Sequence, residues 1–178
     1  MTNMIEENFL EYSAQRLAKL CDRIETCLGK LTPDQVWMRG SENDNAIGNL
    51  VLHLNGNVRQ WILSGVGGSE DHRVRQAEFD ARGGTEPADL ARLLHGTVEQ
   101  AVAIVRALPH ARLAERTVIQ GFQVTVLEAI YHVVEHFSGH ANQIIFITKM
   151  ITGEQLGFYS YLSKPEANDP RSRYTGVD

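Results

Sequence analysis

The sequence is short of cysteine, of positive charge and of long apolar runs, and each shortage removes a class of protein. Two of its 178 residues are cysteine, Cys21 and Cys27, too few for the disulfide framework of small secreted domains. Both fall in one helical segment. At about 100° per residue their separation sets them far apart around that helix, so they read as reduced thiols filling the core. Seventeen Lys and Arg stand against 22 Asp and Glu, a formal net charge of −5, so the chain lacks the basic field that binds phosphate backbones and nucleic acid is not an expected partner. Nowhere is there an apolar run of the roughly 18 residues a membrane-crossing helix requires, so no membrane span is expected. The opening MTNMIEENFLEYSAQRL carries acids early and no basic stretch leading into an apolar run. No secretory signal is expected, and the expected location is cytoplasmic.

What is present is ordinary globular usage, 43% hydrophobic and 22% charged, enough to build one full-sized core. The expectation is a single domain over residues 1–178, with about 154–178 an extended tail carrying Phe158, Tyr159, Tyr161 and Tyr174. Apolar residues at Ile5, Phe9, Tyr12, Leu17, Leu20, Ile24 and Leu28 recur at helical steps and stop at Gly29. Thr32-Pro33-Asp34 opens a short turn of helix at Pro33–Trp37. A second long helix is predicted from about Asn45 to Ser64. The polar, glycine-rich residues 65–86 are too many for a simple link between adjacent helices and suit a crossover. Pro87 opens a third long helix reaching about Leu108, and a fourth runs from about Leu127 to Ile151. Between these two, β-branched residues flank Gln120-Gly121 and predict a small β-hairpin. The fold class is therefore all-α, a four-helix bundle with a long crossover between helices 2 and 3.

The histidines carry the chemistry. His132, His136 and His140 are spaced by four, which places consecutive imidazoles one turn apart on a helix, as two ligands of one metal require. Each four-residue step also drifts by about 40°. On a helical wheel His140 falls inside the apolar arc of Ala129, Ile130, Val133, Phe137, Ala141 and Ile144, and His136 falls at its edge. His132 falls on the polar flank with Glu128, Glu135 and Gln143. The inward pair is His136 and His140, and catalytic zinc sites commonly add a third protein ligand while leaving a fourth position open. His53 is the candidate, because it borders the apolar face of the second helix beside Asn57, Gln60 and Ser64. His72, His95 and His110 read as surface residues.

The stretches NAIGNLVLHLNGNVRQWI and HVVEHFSGHANQI resemble the DinB-like superfamily of metalloenzymes, more closely a bacterial branch of unassigned function. That resemblance spans the first helix through Gly153. It implies an up-down-down-up bundle and a divalent metal held by one histidine from a context like LxHLxxN and two from HxxxHxxxHxxQI, which fall here on His53, His136 and His140, with Gln143 closing the motif. Where many relatives carry Glu and His beside the last two ligands, this chain has Phe137 and Gly139. The characterised relatives that this resemblance brings in include enzymes that use low-molecular-weight thiols to transfer or isomerise small electrophiles at a His-ligated metal.

The resulting expectation is an enzyme of thiol-dependent transfer or detoxification, with zinc or nickel ahead of iron or copper. A metal-dependent hydrolase and a non-catalytic metal-binding stress protein are the alternatives. His132, Glu135, Asn57 and Gln143 are candidates for supporting the site. In RVRQAEFDARGG, Arg75, Glu78 and Arg82 are candidates for covering the open end and binding an anionic substrate, against the reading that they are solvated loop charges. The aromatic tail and the broad apolar cover of the fourth helix suggest a homodimer.

Overall fold

A computed structural model describes residues 4–163. The chain is mostly helical. Helix α1, Met4–Leu28, buries Leu10, Leu17, Leu20, Ile24 and Leu28 along one stripe. The short α2, Pro33–Trp37, starts on a capping box in which the Thr32 hydroxyl accepts the Gln35 N–H and the Gln35 side chain accepts the Thr32 N–H. Helix α3, Ile47–Val58, continues into a π-helical turn over Arg59–Ser64. There the Gly65 and Gly67 N–H groups reach back five residues, to Gln60 and Ile62 carbonyls at 3.0 and 2.8 Å. Such widened turns re-aim the side chains that follow.

The crossover is not bare loop, because Arg75–Asp80 forms the short helix α4, which packs on α3. Helix α5, Pro87–Arg106, carries proline in its first turn. The predicted hairpin is present as β1, Arg116–Ile119, paired antiparallel with β2, Phe122–Thr125. Gln120 and Gly121 take φ of 53° and 81°, the positive pair a two-residue primed turn needs. Helix α6, Val126–Thr152, starts on a Thr125–Glu128 capping box.

Both α1 and α3 pack against α5 and α6, so the four long helices enclose one apolar core. Leu17, Leu54, Leu94, Ile130 and Phe137 lie fully buried in it, each stabilising the fold by about 1.5–3 kcal/mol through area removed from water. Ion pairs join the helices at matching heights. Glu11 meets Arg106 at 2.7 Å, and Lys30, just past α1, meets Glu154, just past α6, at 2.6 Å. Beyond α6 the chain turns back onto α1: Leu156 is buried, Tyr159 accepts a hydrogen bond from Arg23, and a 3-10 turn follows at Ser160–Ser163. The rest of the expected tail, with Tyr174, lies outside the described residues.

Helix α3 is covered more completely than its sequence implies. Gly48, Asn49, His53, Gly56 and Asn57 are buried together with its apolar residues, because the crossover lies on its polar strip. Asn49 anchors that crossover. Its amide donates to the Glu78 and Ala81 carbonyls at 2.8 and 3.0 Å, and its carbonyl accepts from the Ala46 N–H and from Arg39. Both ends of the Asn49 amide are thereby satisfied, which removes the cost of burying a bare amide.

Candidate metal centre

Helices α3 and α6 bring three imidazoles to one point. His53 Nε2 and His140 Nε2 each lie 3.1 Å from His136 Nε2. One donor atom from each ring lies within 4.8 Å of the others, a group that could hold a metal ion. Three nitrogens bound at zinc's usual 2.0–2.1 Å in a tetrahedron stand about 3.3 Å apart, close to this spacing. Hydrogen bonding alone cannot account for it, since the single Nε2 of His136 can donate or accept only once yet faces two partners. One cation at the centre would satisfy all three lone pairs.

The opposite ring nitrogens fix the tautomers. His53 Nδ1–H donates to Glu78 at 2.9 Å, and His140 Nδ1–H donates to Gln143 at 2.7 Å. Each leaves its Nε2 lone pair facing the centre, the arrangement that orients metal-binding histidines. Among the described residues His136 Nδ1 is buried without a partner, as is Asn57 Oδ1 one turn beyond His53, so unsatisfied polar atoms stand on both helices. Burial first, then the neighbouring imidazoles and Arg73, push His136 down to about 3. Burial also lowers His140 and His132. These rings are thus neutral near pH 7, the form that binds metal.

Glu78 reaches the site from α4, in the crossover. Burial pushes its carboxyl up, but hydrogen bonds from Arg73 and His53 outweigh that and hold it below the usual carboxylate value. Arg73 clamps both oxygens, Nε on Oε1 at 2.7 Å and Nη2 on Oε2 at 2.9 Å. The approach depends on Gly56, where a Cβ would stand 2.0 Å from Glu78 Oε1.

The remaining sequence candidates separate in space. His132 stacks on Trp61 with ring centroids 4.1 Å apart and lies 5.6 Å from the His136 ring; it is not a member of the converging group. Glu135 is exposed. Arg75 lies 4.8 Å over the Phe79 ring, and Phe79 lies 4.9 Å from the His53 ring. Arg82 donates to the Phe79 and Ala81 carbonyls. Sequence reasoning missed Arg73, whose spacing of five from Glu78 has no helical meaning, and Asn49. A cavity of about 300 Å³ lined by Asn55, Arg59, Asp71, Arg73, Val74 and Glu78 lies behind α3, and none of the three histidines lines it.

The architecture matches that of solved proteins. A DinB-like protein from Bacillus cereus superposes with a TM-score of 0.61 at 14% identity, over 77% of this chain and 88% of that one. A DinB-like protein from Bacillus subtilis, YjoA, gives 0.63 at 18% identity over 83% and 97%. A conserved protein from Enterococcus faecalis gives 0.60 at 14% identity over 80% and 96%. The class is therefore that of the DinB-like fold. Within it, the chain belongs to the family described as a protein of unknown function, DUF1572, whose model matches residues 4–167. Comparison with curated proteins gave no match.

The half-buried imidazoles of α6 set a pH dependence. A ring lowered on folding binds fewer protons folded than unfolded, so stability rises with pH between its two values. Chelator-treated protein is expected to lose stability as pH falls below the ordinary imidazole value of 6.5, through His132, His136 and His140, with Glu78 adding below 4.5. His95, raised by Glu25, acts in the opposite sense and above that window. Thermal unfolding across pH 4 to 7 checks this, and His136→Gln should flatten the slope. A midpoint that does not move over that range would contradict burial of neutral rings.

Proposed function

We propose that this protein is a divalent-metal-dependent enzyme in which His53, His136 and His140 hold one ion, zinc or nickel ahead of iron or copper, and a low-molecular-weight thiol attacks a small electrophile beside it. The observation that carries this reading is the convergence of three histidine Nε2 atoms, two of them, on His53 and His140, aimed by hydrogen bonds at Nδ1. A bound divalent ion supplies the Lewis acidity that lets a thiol lose its proton at neutral pH. The chain's own residues supply the rest. Glu78 and Gln143 hold two rings in place, Arg73 keeps Glu78 ionised, and His132, lowered by burial, is neutral at pH 7 and offers a ring nitrogen for the thiol proton. The sulfur then forms a bond to the electrophilic carbon as the leaving group departs with the bonding pair. Arg75, exposed above Phe79, is the side chain for an anionic substrate group, whereas Arg82 is engaged by backbone carbonyls.

The bundle reading that goes with this site is up-down-down-up within a single domain. The Glu11–Arg106 pair supports antiparallel α1 and α5, the Lys30–Glu154 pair supports parallel α1 and α6, and the Trp61–His132 stack supports antiparallel α3 and α6. No helix among the described residues is long and apolar enough to cross a membrane, and two unpaired thiols favour a reducing, cytoplasmic setting.

Metal affinity tests the ligand set. His53→Ala, His136→Ala and His140→Ala should each abolish tight binding in calorimetric titration, Glu78→Gln should weaken it by about 10–100-fold, and His132→Ala should keep most of it. Equal loss in His132→Ala would overturn the assignment. The thiol reading is tested with cobalt-substituted protein, whose visible spectrum should change on adding millimolar thiol with release of a proton. A loaded site whose spectrum ignores thiols removes that reading and leaves hydrolysis or a structural ion.

Leu127, Tyr131, Phe146 and Met150 are exposed apolar residues of α6, and they support a homodimer. Sedimentation of micromolar protein should show twice the 19.9 kDa chain mass; a monomer at that concentration refutes it.

A further inference from the structure

A second cluster of metal-binding side chains joins α1 to α5. Cys21 and Glu25 are one turn apart on α1, and His95 comes from α5. His95 Nδ1 stands 2.7 Å from Glu25 Oε1, and Cys21 Sγ stands 3.4 Å from the same oxygen. All three donor atoms lie within 4.8 Å of one another. We propose that Cys21, Glu25 and His95 form a second divalent-cation site, selective for a thiophilic ion such as zinc or cadmium, that clamps α1 to α5.

Three features of the cluster support this. The donor set of thiolate, carboxylate and imidazole is one that zinc accepts, and thiolate favours soft ions over magnesium or calcium. Its charge is matched, since one thiolate and one carboxylate neutralise a divalent ion, and Asp22 and Glu99 add negative potential around His95. The geometry is close to what an ion needs: ligands about 2.0–2.3 Å from a tetrahedral zinc stand roughly 3.3–3.6 Å apart, so the Cys21–Glu25 spacing already fits and the Glu25–His95 pair must open by about half an ångström. Those two side chains are 31% and 53% exposed and free to shift, whereas Cys21 is buried beneath them.

Without an ion, burial and the acidic neighbours Glu25 and Asp22 push the Cys21 thiol up. Binding must therefore displace the S–H proton, which leaves to solvent as the sulfur takes the cation. The exposed Glu25–His95 pair by itself is worth little to stability. A clamp of three ligands across two helices would be worth more, because it binds only the folded chain.

Cobalt distinguishes the two sites, because a thiolate ligand gives an intense near-ultraviolet charge-transfer band and an all-imidazole site does not. Titration of the full chain with cobalt in the absence of added thiol should bind two equivalents, one accompanied by that band. Cys21→Ser and the exposed His95→Gln should each remove the band and one equivalent, while Cys27→Ser and His136→Ala retain the band. His95→Gln keeps the test decisive if Cys21→Ser folds poorly. Saturation without a charge-transfer band, or a band that survives His95→Gln, overturns the proposal. Neither result bears on the site of His53, His136 and His140, which contains no sulfur.

Discussion

Everything at the candidate centre depends on keeping three imidazoles aimed at one another at the interface of α3 and α6. Left to themselves, such rings rotate or take up protons and separate. Burial disfavours the proton on His136 and His140, and hydrogen bonds at Nδ1 remove the rotation for His53 and His140. The bond to His53 is the more demanding, because it brings a carboxylate into the protein interior, where an unpaired charge is costly. Arg73 neutralises it with two hydrogen bonds. A buried ion pair of this kind contributes little net stability against its desolvation. Its value lies in orientation, and the bare backbone at Gly56 gives it room.

That requirement explains the long connection between α3 and α5. A short link would join the helices but could not bring Glu78 across the polar strip of α3. The crossover does so by folding α4 and lodging its last carbonyls on Asn49 and Arg39. Site and connection therefore form one structure: the same segment that covers His53 also orients it. The π-helical end of α3 follows on the same face, where Trp61 meets His132.

The fold is shared with DinB-like proteins at 14–18% identity, a level at which packing pattern survives and most side chains do not. A common fold does not carry a common reaction. What this chain can do rests on its own residues, and two clusters of side chains that could hold a metal ion lie on different helix pairs among the described residues, α3 with α6 and α1 with α5.

The sequence by itself determined most of the elements, though not α4 or the π-helical turn. Periodicity and stop signals marked α1, α5 and α6 to within about two residues, Thr32-Pro33 marked α2, and Gln120-Gly121 marked the hairpin, because these are local consequences of side-chain spacing and backbone preference. It also placed the His136 and His140 rings side by side, since both stand on one helix and a wheel orders them. Tertiary structure decided the rest. His53 read as a border residue and is buried, because α4 covers it. Glu78 read as a charge for an anionic substrate and instead grips His53, with Arg73 unforeseen. His95 read as a surface residue, and it stands beside Glu25 from a different helix. Each of these depends on which polar group meets which across long stretches of chain, and that pairing is set by how the helices and the crossover pack, to which local spacing is blind.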